Sequence, residues 1–152
     1  MPNWVINVPV EPVAKGRPRG AVVAGRVRMY TPSKTSQYER LISFHAGQLL
    51  PATVLDEPLR IDIVAIMRRP KRLLRKKDPE GLVPCPTRPD LDNIRKAVMD
   101  ALSPHYRDDS LVCVGETHKF FAEKSGKPRL YVRISTIDDI SAPDWCDAAQ
   151  VG

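Results

Sequence analysis

Residues 88–112 read RPDLDNIRKAVMDALSPHYRDDSLV. Leu91, Ile94, Val98, Ala101 and Leu102 recur every three or four positions and make one apolar stripe, which predicts a helix over residues 90–102. Asp90 or Asp92 stands where a capping or first-turn carboxylate belongs. Away from the stripe, Asp92, Lys96 and Asp100 follow at four-residue intervals and form a polar row. Residues 103–110 predict a turn that delivers Asp108 and Asp109 just before the next strand.

Working outward, residues 59–67 (LRIDIVAIM) alternate and predict a strand buried mainly on one face. Trp4 to Val10 predicts a first strand, and Arg26 to Tyr30 a short one. Residues 15–20 (KGRPRG) predict a loop. A helix capped by Ser33 or Thr35 runs to about Leu50, with Tyr38, Leu41, Ile42, His45 and Leu49 on its apolar face. Residues from Leu111 to about Ala122 and Arg129 to Thr136 predict a hairpin joined through Glu-Lys-Ser-Gly-Lys. The sum is an α+β fold of two layers, one mixed sheet of about four or five strands packed with two helices. Residues 1–136 form a single domain on this reading, and 137–152 a weakly ordered acidic tail.

The chain has 152 residues, 42% apolar and 28% charged, enough for one core. No run approaches the roughly 18 apolar residues of a membrane span. The start, Met1-Pro-Asn-Trp, carries no secretory signal pattern. Three cysteines at wide spacing argue against a disulfide framework, so a cytoplasmic setting is expected. Neither a zinc spacing, a phosphate loop nor a dinucleotide fingerprint is present, so no nucleotide cofactor is expected.

The charge is unevenly placed. Residues 15–28 carry Lys15, Arg17, Arg19, Arg26 and Arg28 with no acid. Residues 68–77 carry Arg68, Arg69, Lys71, Arg72, Arg75, Lys76 and Lys77 with no acid. These segments hold 12 of the 24 bases, and the rest of the chain is acidic. Concentrated bases on an acidic body suit a polyanion, because each phosphate contact releases counterions. The segment 68–89 is a long basic, Pro-rich connection, and a solvated loop with no partner would have the same composition.

Several carboxylates at one spot repel unless a cation joins them. A hard divalent ion takes oxygen ligands, activates water and offsets charge on a phosphate under attack. A site of acids beside Lys96 and a basic loop therefore suits phosphodiester hydrolysis. The plain alternatives are an N-cap at Asp90, an Asp92–Lys96 ion pair, and a turn at Asp108-Asp109. The other functional readings are a non-catalytic DNA-binding protein using segments 15–28 and 68–77, and an interaction module whose basic loop binds an acidic protein.

The combination Asp90-Leu-Asp92-Asn, Lys96, Asp100-Ala-Leu and Asp108-Asp109 before a strand resembles the RusA family of Holliday junction resolvases. Lys15-Gly-Arg-Pro-Arg19 and Tyr30-Thr-Pro-Ser-Lys34 resemble its phage-type members. The resemblance spans roughly residues 4–136. It implies a homodimeric endonuclease that uses Mg²⁺, or Mn²⁺, to resolve four-way DNA junctions by paired symmetric nicks. It also implies Asp90, Asp92 and Asp109 as metal-binding catalytic acids, with Asp108 the second choice at its position. Lys96 is implied as the catalytic or phosphate-contacting lysine, and Lys119 as a DNA contact.

Overall fold

The structure is a computed structural model and describes residues 2–17, 19–30, 32–138, 141–143 and 146. In chain order the elements are β1 (Asn3–Val8), β2 (Arg19–Val23), β3 (Arg26–Tyr30), α1 (Ser33–Leu49), β4 (Leu59–Met67), β5 (Val83–Pro84), α2 (Leu91–Leu102), β6 (Val112–Val114), β7 (Thr117–Phe121) and β8 (Arg129–Thr136). Six strands form one mixed sheet, ordered β1-β8-β4-β7-β5 with β6 also on β4. β2 and β3 pair only with each other, as a separate antiparallel hairpin. The fold is α+β, with one strand more in the main sheet than the upper expectation. The tail expected over 137–152 lies mostly outside the described residues.

β4 is the axis of the sheet. Leu59, Ile61, Ile63, Ala65 and Met67 alternate onto one face, and all five are buried. Each large side chain among them contributes roughly 1.5–3 kcal/mol on leaving water. That face meets Ile42 and Ala46 of α1 and Ile94, Val98, Ala101 and Leu102 of α2 in one core. The α1 stripe is rotated from expectation: Thr35, Tyr38, Ile42 and Ala46 are buried, whereas Leu49 is 52% exposed. In α2 the expected stripe is buried except Leu91, which lies in the first turn and is exposed.

The expected hairpin of residues 111–122 with 129–136 does not form. β4 lies between the two segments, antiparallel to β8 and parallel to β6 and β7. The turn-like residues between β7 and β8 instead carry the chain across β4. Gly115 permits the break between β6 and β7: a Cβ there would lie 1.9 Å from the Ile61 carbonyl oxygen. The backbones touch at a point where no side chain fits.

The basic connection is a structured excursion built on Arg69. This guanidinium is buried and donates to the carbonyls of Leu73 (2.8 Å), Pro79 (2.6 Å), Gly81 (2.9 Å) and Ala122 (3.4 Å). It closes the excursion onto the end of β7. No helix among the described residues is long and apolar enough to cross a membrane.

Candidate active site

α2 begins at the junction the sequence singles out. Asp90 occupies the N-cap position with extended backbone, yet its side chain makes no capping hydrogen bond. Asp92 is in the first turn, exposed, and in no hydrogen bond or ion pair among the described residues. Both carboxylates sit at the positive end of the helix dipole, which favours negative charge. The segment leading into Asp90 is held from β7: the Lys119 ammonium donates to the Thr87 carbonyl at 2.6 Å and to the Pro89 carbonyl at 2.7 Å. The peptide Arg88–Pro89 is cis.

Lys96 does not pair with Asp92. Its ammonium lies 3.8 Å from Asp100, one turn further on, and the side chain is largely exposed. Asp100 is also 3.1 Å from Lys15, which in turn lies 2.6 Å from Glu39 on α1. Two acids thus surround Lys15, so it is a strut between the helices. Burial alone would lower its pKa, but the hydrogen bonds and charges of Glu39 and Asp100 raise it overall. Arg95 runs beneath α2 to the Thr117 hydroxyl (2.9 Å) and the Ile61 carbonyl (3.3 Å), tying the helix to the β4–β7 seam.

The two acids after α2 part company. Asp108 accepts the Ser110 N–H at 2.8 Å and caps the short 3₁₀ turn Asp109–Leu111. The Ser110 hydroxyl and N–H hold its carboxyl below the usual range. Asp109 lies beside Tyr106 instead. Burial, then the Asp109 carboxylate, raises the Tyr106 phenol, whose hydroxyl donates to the Met99 carbonyl at 3.2 Å. The charges of Asp100 and Arg95 also reach that phenol.

The acids do not close into one cage: among the described residues, no three His, Cys, Asp or Glu side chains are grouped closely enough to hold a metal ion. The donors at Asp90 and Asp92 nevertheless suit a hard divalent cation. They are oxygen ligands without other partners, and Mg²⁺ keeps several waters and needs only one or two protein carboxylates.

The basic residues divide likewise. Arg69, Lys15 and Lys119, expected as DNA contacts, are engaged inside the chain. Arg68 faces Glu11 at 3.8 Å, and Arg75 holds Asp78 at 3.3 Å. Lys71, Arg72, Lys76 and Lys77 are exposed and in no ion pair among the described residues. Arg17 is exposed, and the side chain of Arg19 lies outside the described residues. Sequence reasoning gave no role to Glu39, Arg95 or Tyr106. The spacing of Arg95, three residues after Asp92, was the one available signal.

A second charged centre lies on the opposite, open face of the sheet. Burial raises the Asp62 pKa, but Arg60 (2.8 Å), Arg133 (2.7 Å) and the Glu116 N–H (3.0 Å) outweigh it and hold the carboxyl at about 2. Its acceptor capacity is taken by these partners, which marks it as structural.

Comparison with known proteins gives two findings. The sequence model of the family described as Endodeoxyribonuclease RusA matches residues 9–135. An uncharacterized protein of Bacillus subtilis (strain 168), YqaN, is 35% identical over 133 residues, which is 84% of this chain and 92% of that protein.

Proposed function

The chain belongs to the RusA family of endodeoxyribonucleases, and from that membership we propose that it resolves four-way DNA junctions by paired symmetric nicks. One observation carries the assignment of the site. Asp90 and Asp92 are exposed carboxylates with no protein partner among the described residues, at the start of α2, with Lys96 one turn on.

We assign Asp90 and Asp92 to a Mg²⁺ ion, for which Mn²⁺ substitutes, and Asp109 to the same reaction from the neighbouring turn. Such an ion supplies an activated water and offsets the charge growing on the phosphate. The protein groups do the rest. Lys96 offers an ammonium to a phosphate oxygen, and its tether to Asp100 limits where that ammonium goes. Lys119 fixes the approach to Asp90. Lys71, Arg72, Lys76 and Lys77 hold the backbone of the DNA through long-range attraction.

A four-way junction has approximate two-fold symmetry, and two coordinated cuts need two sites. A C2 homodimer provides them. The three free thiols and the DNA substrate suit action in the cytoplasm.

The test is cleavage of a synthetic four-way junction with and without Mg²⁺. Metal-dependent paired nicks are expected, with Asp90→Asn losing cleavage while junction binding is kept or tightened. An Asp90→Asn protein that cuts like the parent overturns the site. One competing reading is a DNA-binding protein that does not cut, which would use the exposed bases Lys71, Arg72, Lys76 and Lys77 alone. Junction binding without any cleavage in Mg²⁺ or Mn²⁺ would establish it.

A further inference from the structure

The β2–β3 hairpin stands outside the sheet, and its two faces differ in kind. Cross-strand partners share a face, so Val22 with Val27 and Gly20 with Met29 make one side. Val23 with Arg26 and Ala21 with Arg28 make the other. The first side is apolar and open: Val22 is 75% exposed, Val27 71% and Met29 65%. The second carries exposed Arg26 and Arg28, with Val23 and Tyr30 half exposed beside them. Ala24 and Gly25 both have positive φ, 51° and 75°, the turn that matches the natural twist of a two-residue hairpin. A lone two-stranded ribbon is marginal in water, and a stripe of three large apolar side chains calls for an occupant.

Charge identifies the occupant. Residues 12–38 hold six bases and no acid, so the ribbon and both of its flanks are attractive to a polyanion. A two-stranded ribbon fits the major groove, and apolar side chains inserted at a base step dock where bases are unstacked. Intact duplex presents no free base faces; the centre of a branched DNA does. The stem also points to the same substrate as the site. The Lys15 N–H donates to the Asn93 carbonyl of α2 at 3.0 Å, and the Gly16 N–H to the Thr35 hydroxyl of α1 at 3.2 Å. The stem is close-packed, since a Cβ on Gly16 would lie 2.9 Å from Pro32 Cγ. The ribbon therefore springs from the helix that begins at Asp90, and five residues per strand give it a reach of roughly 17 Å.

We propose that this hairpin is a branch-point arm: Val22, Val27 and Met29 dock on unstacked bases at the crossover while Arg26 and Arg28 hold the adjoining phosphates. The proposal rests on the junction-nuclease reading and adds the element that tells branched DNA from duplex.

The experiment places 2-aminopurine beside the crossover of a synthetic junction and measures fluorescence and affinity in EDTA, then cleavage in Mg²⁺. The parent brightens the probe on binding. The triple change Val22→Ser, Val27→Ser, Met29→Ser leaves it dark and lowers junction affinity roughly tenfold, with duplex affinity within about twofold of the parent. Arg26→Ala with Arg28→Ala weakens junction and duplex alike and reduces the salt slope by about two. Unchanged thermal unfolding midpoints show that these exposed positions leave the fold intact. A triple variant that brightens the probe and binds like the parent overturns the arm, although junction cleavage by the parent keeps the nuclease reading. A triple variant that turns monomeric assigns the stripe to a second copy of the chain and also overturns the arm. A parent that neither binds nor cuts any DNA removes both.

Discussion

The ammonium of Lys119, on β7, lies 2.7 Å from the carbonyl oxygen of Pro89, one residue before Asp90. This lysine, expected as a DNA contact, also braces the segment that leads into Asp90, the first acid of the proposed site. Lys119→Met removes both of its charge-assisted bonds, including the one to Thr87. The expected loss is about 1–2 kcal/mol of stability, read from the denaturant midpoint. The Mg²⁺ concentration for half-maximal cleavage rises as well, and Lys119→Arg restores part of it. A variant that loses stability with an unchanged Mg²⁺ dependence would restrict Lys119 to the fold.

Asp108 and Asp109 separate into cap and candidate acid. Asp108→Ala loses the bond to Ser110 and is expected to lower the denaturation midpoint slightly while retaining cleavage. Asp109→Ala is expected to lose cleavage with little change in unfolding. The two measurements together, denaturation and junction cutting, would reverse the assignment if the effects were exchanged.

Within the basic excursion, Arg69 and the pair Lys76 and Lys77 should behave oppositely. Arg69→Ala removes a buried guanidinium and leaves the carbonyls of Leu73, Pro79, Gly81 and Ala122 without their donor, for an expected loss of about 3 kcal/mol. Lys76→Ala and Lys77→Ala leave stability unchanged and each flatten the salt dependence of DNA binding by about one in log–log slope. Equal salt slopes for parent and lysine variants would show that this segment does not touch the backbone of DNA.

Asp62 gives the acid limb of stability a defined origin. Burial opposes its charge, but Arg60, Arg133 and the Glu116 N–H bring its pKa from 3.8 down to about 2. A carboxyl depressed in the folded state stabilises above its unfolded pKa, and that contribution, roughly 2 kcal/mol, fades as pH falls from 3.8 toward 2. Asp62→Asn should flatten urea-denaturation stability across that window. A parent and a variant with parallel acid limbs would show that Asp62 is not the responsible group.

The helix that carries the acids was legible because its signal is local: apolar residues at helical spacing, then a Pro-Asp entry. β4 was legible through its alternation. Its neighbours were not, because the Glu-Lys-Ser-Gly-Lys connection has the composition of a tight hairpin turn, while the competing partner lies some fifty residues earlier in the chain. Arg69 was unreadable for a related reason: among seven adjoining bases nothing local marks the one whose guanidinium meets four carbonyls. The Lys15–Glu39–Asp100 strut joins positions that only folding brings together. Asp108 and Asp109 differ solely in where the turn points them.

Among the described residues β1 has one neighbour in the sheet, β8, so a strand made early is completed by one made more than a hundred residues later. During synthesis Asn3–Val8 emerges long before Arg129–Thr136 and stays an open edge until then. The sheet closes only once β8 has emerged, and a chain cut short before β8 would leave both β1 and one side of β4 bare. Such truncated products would present unsatisfied strand edges to quality-control proteases.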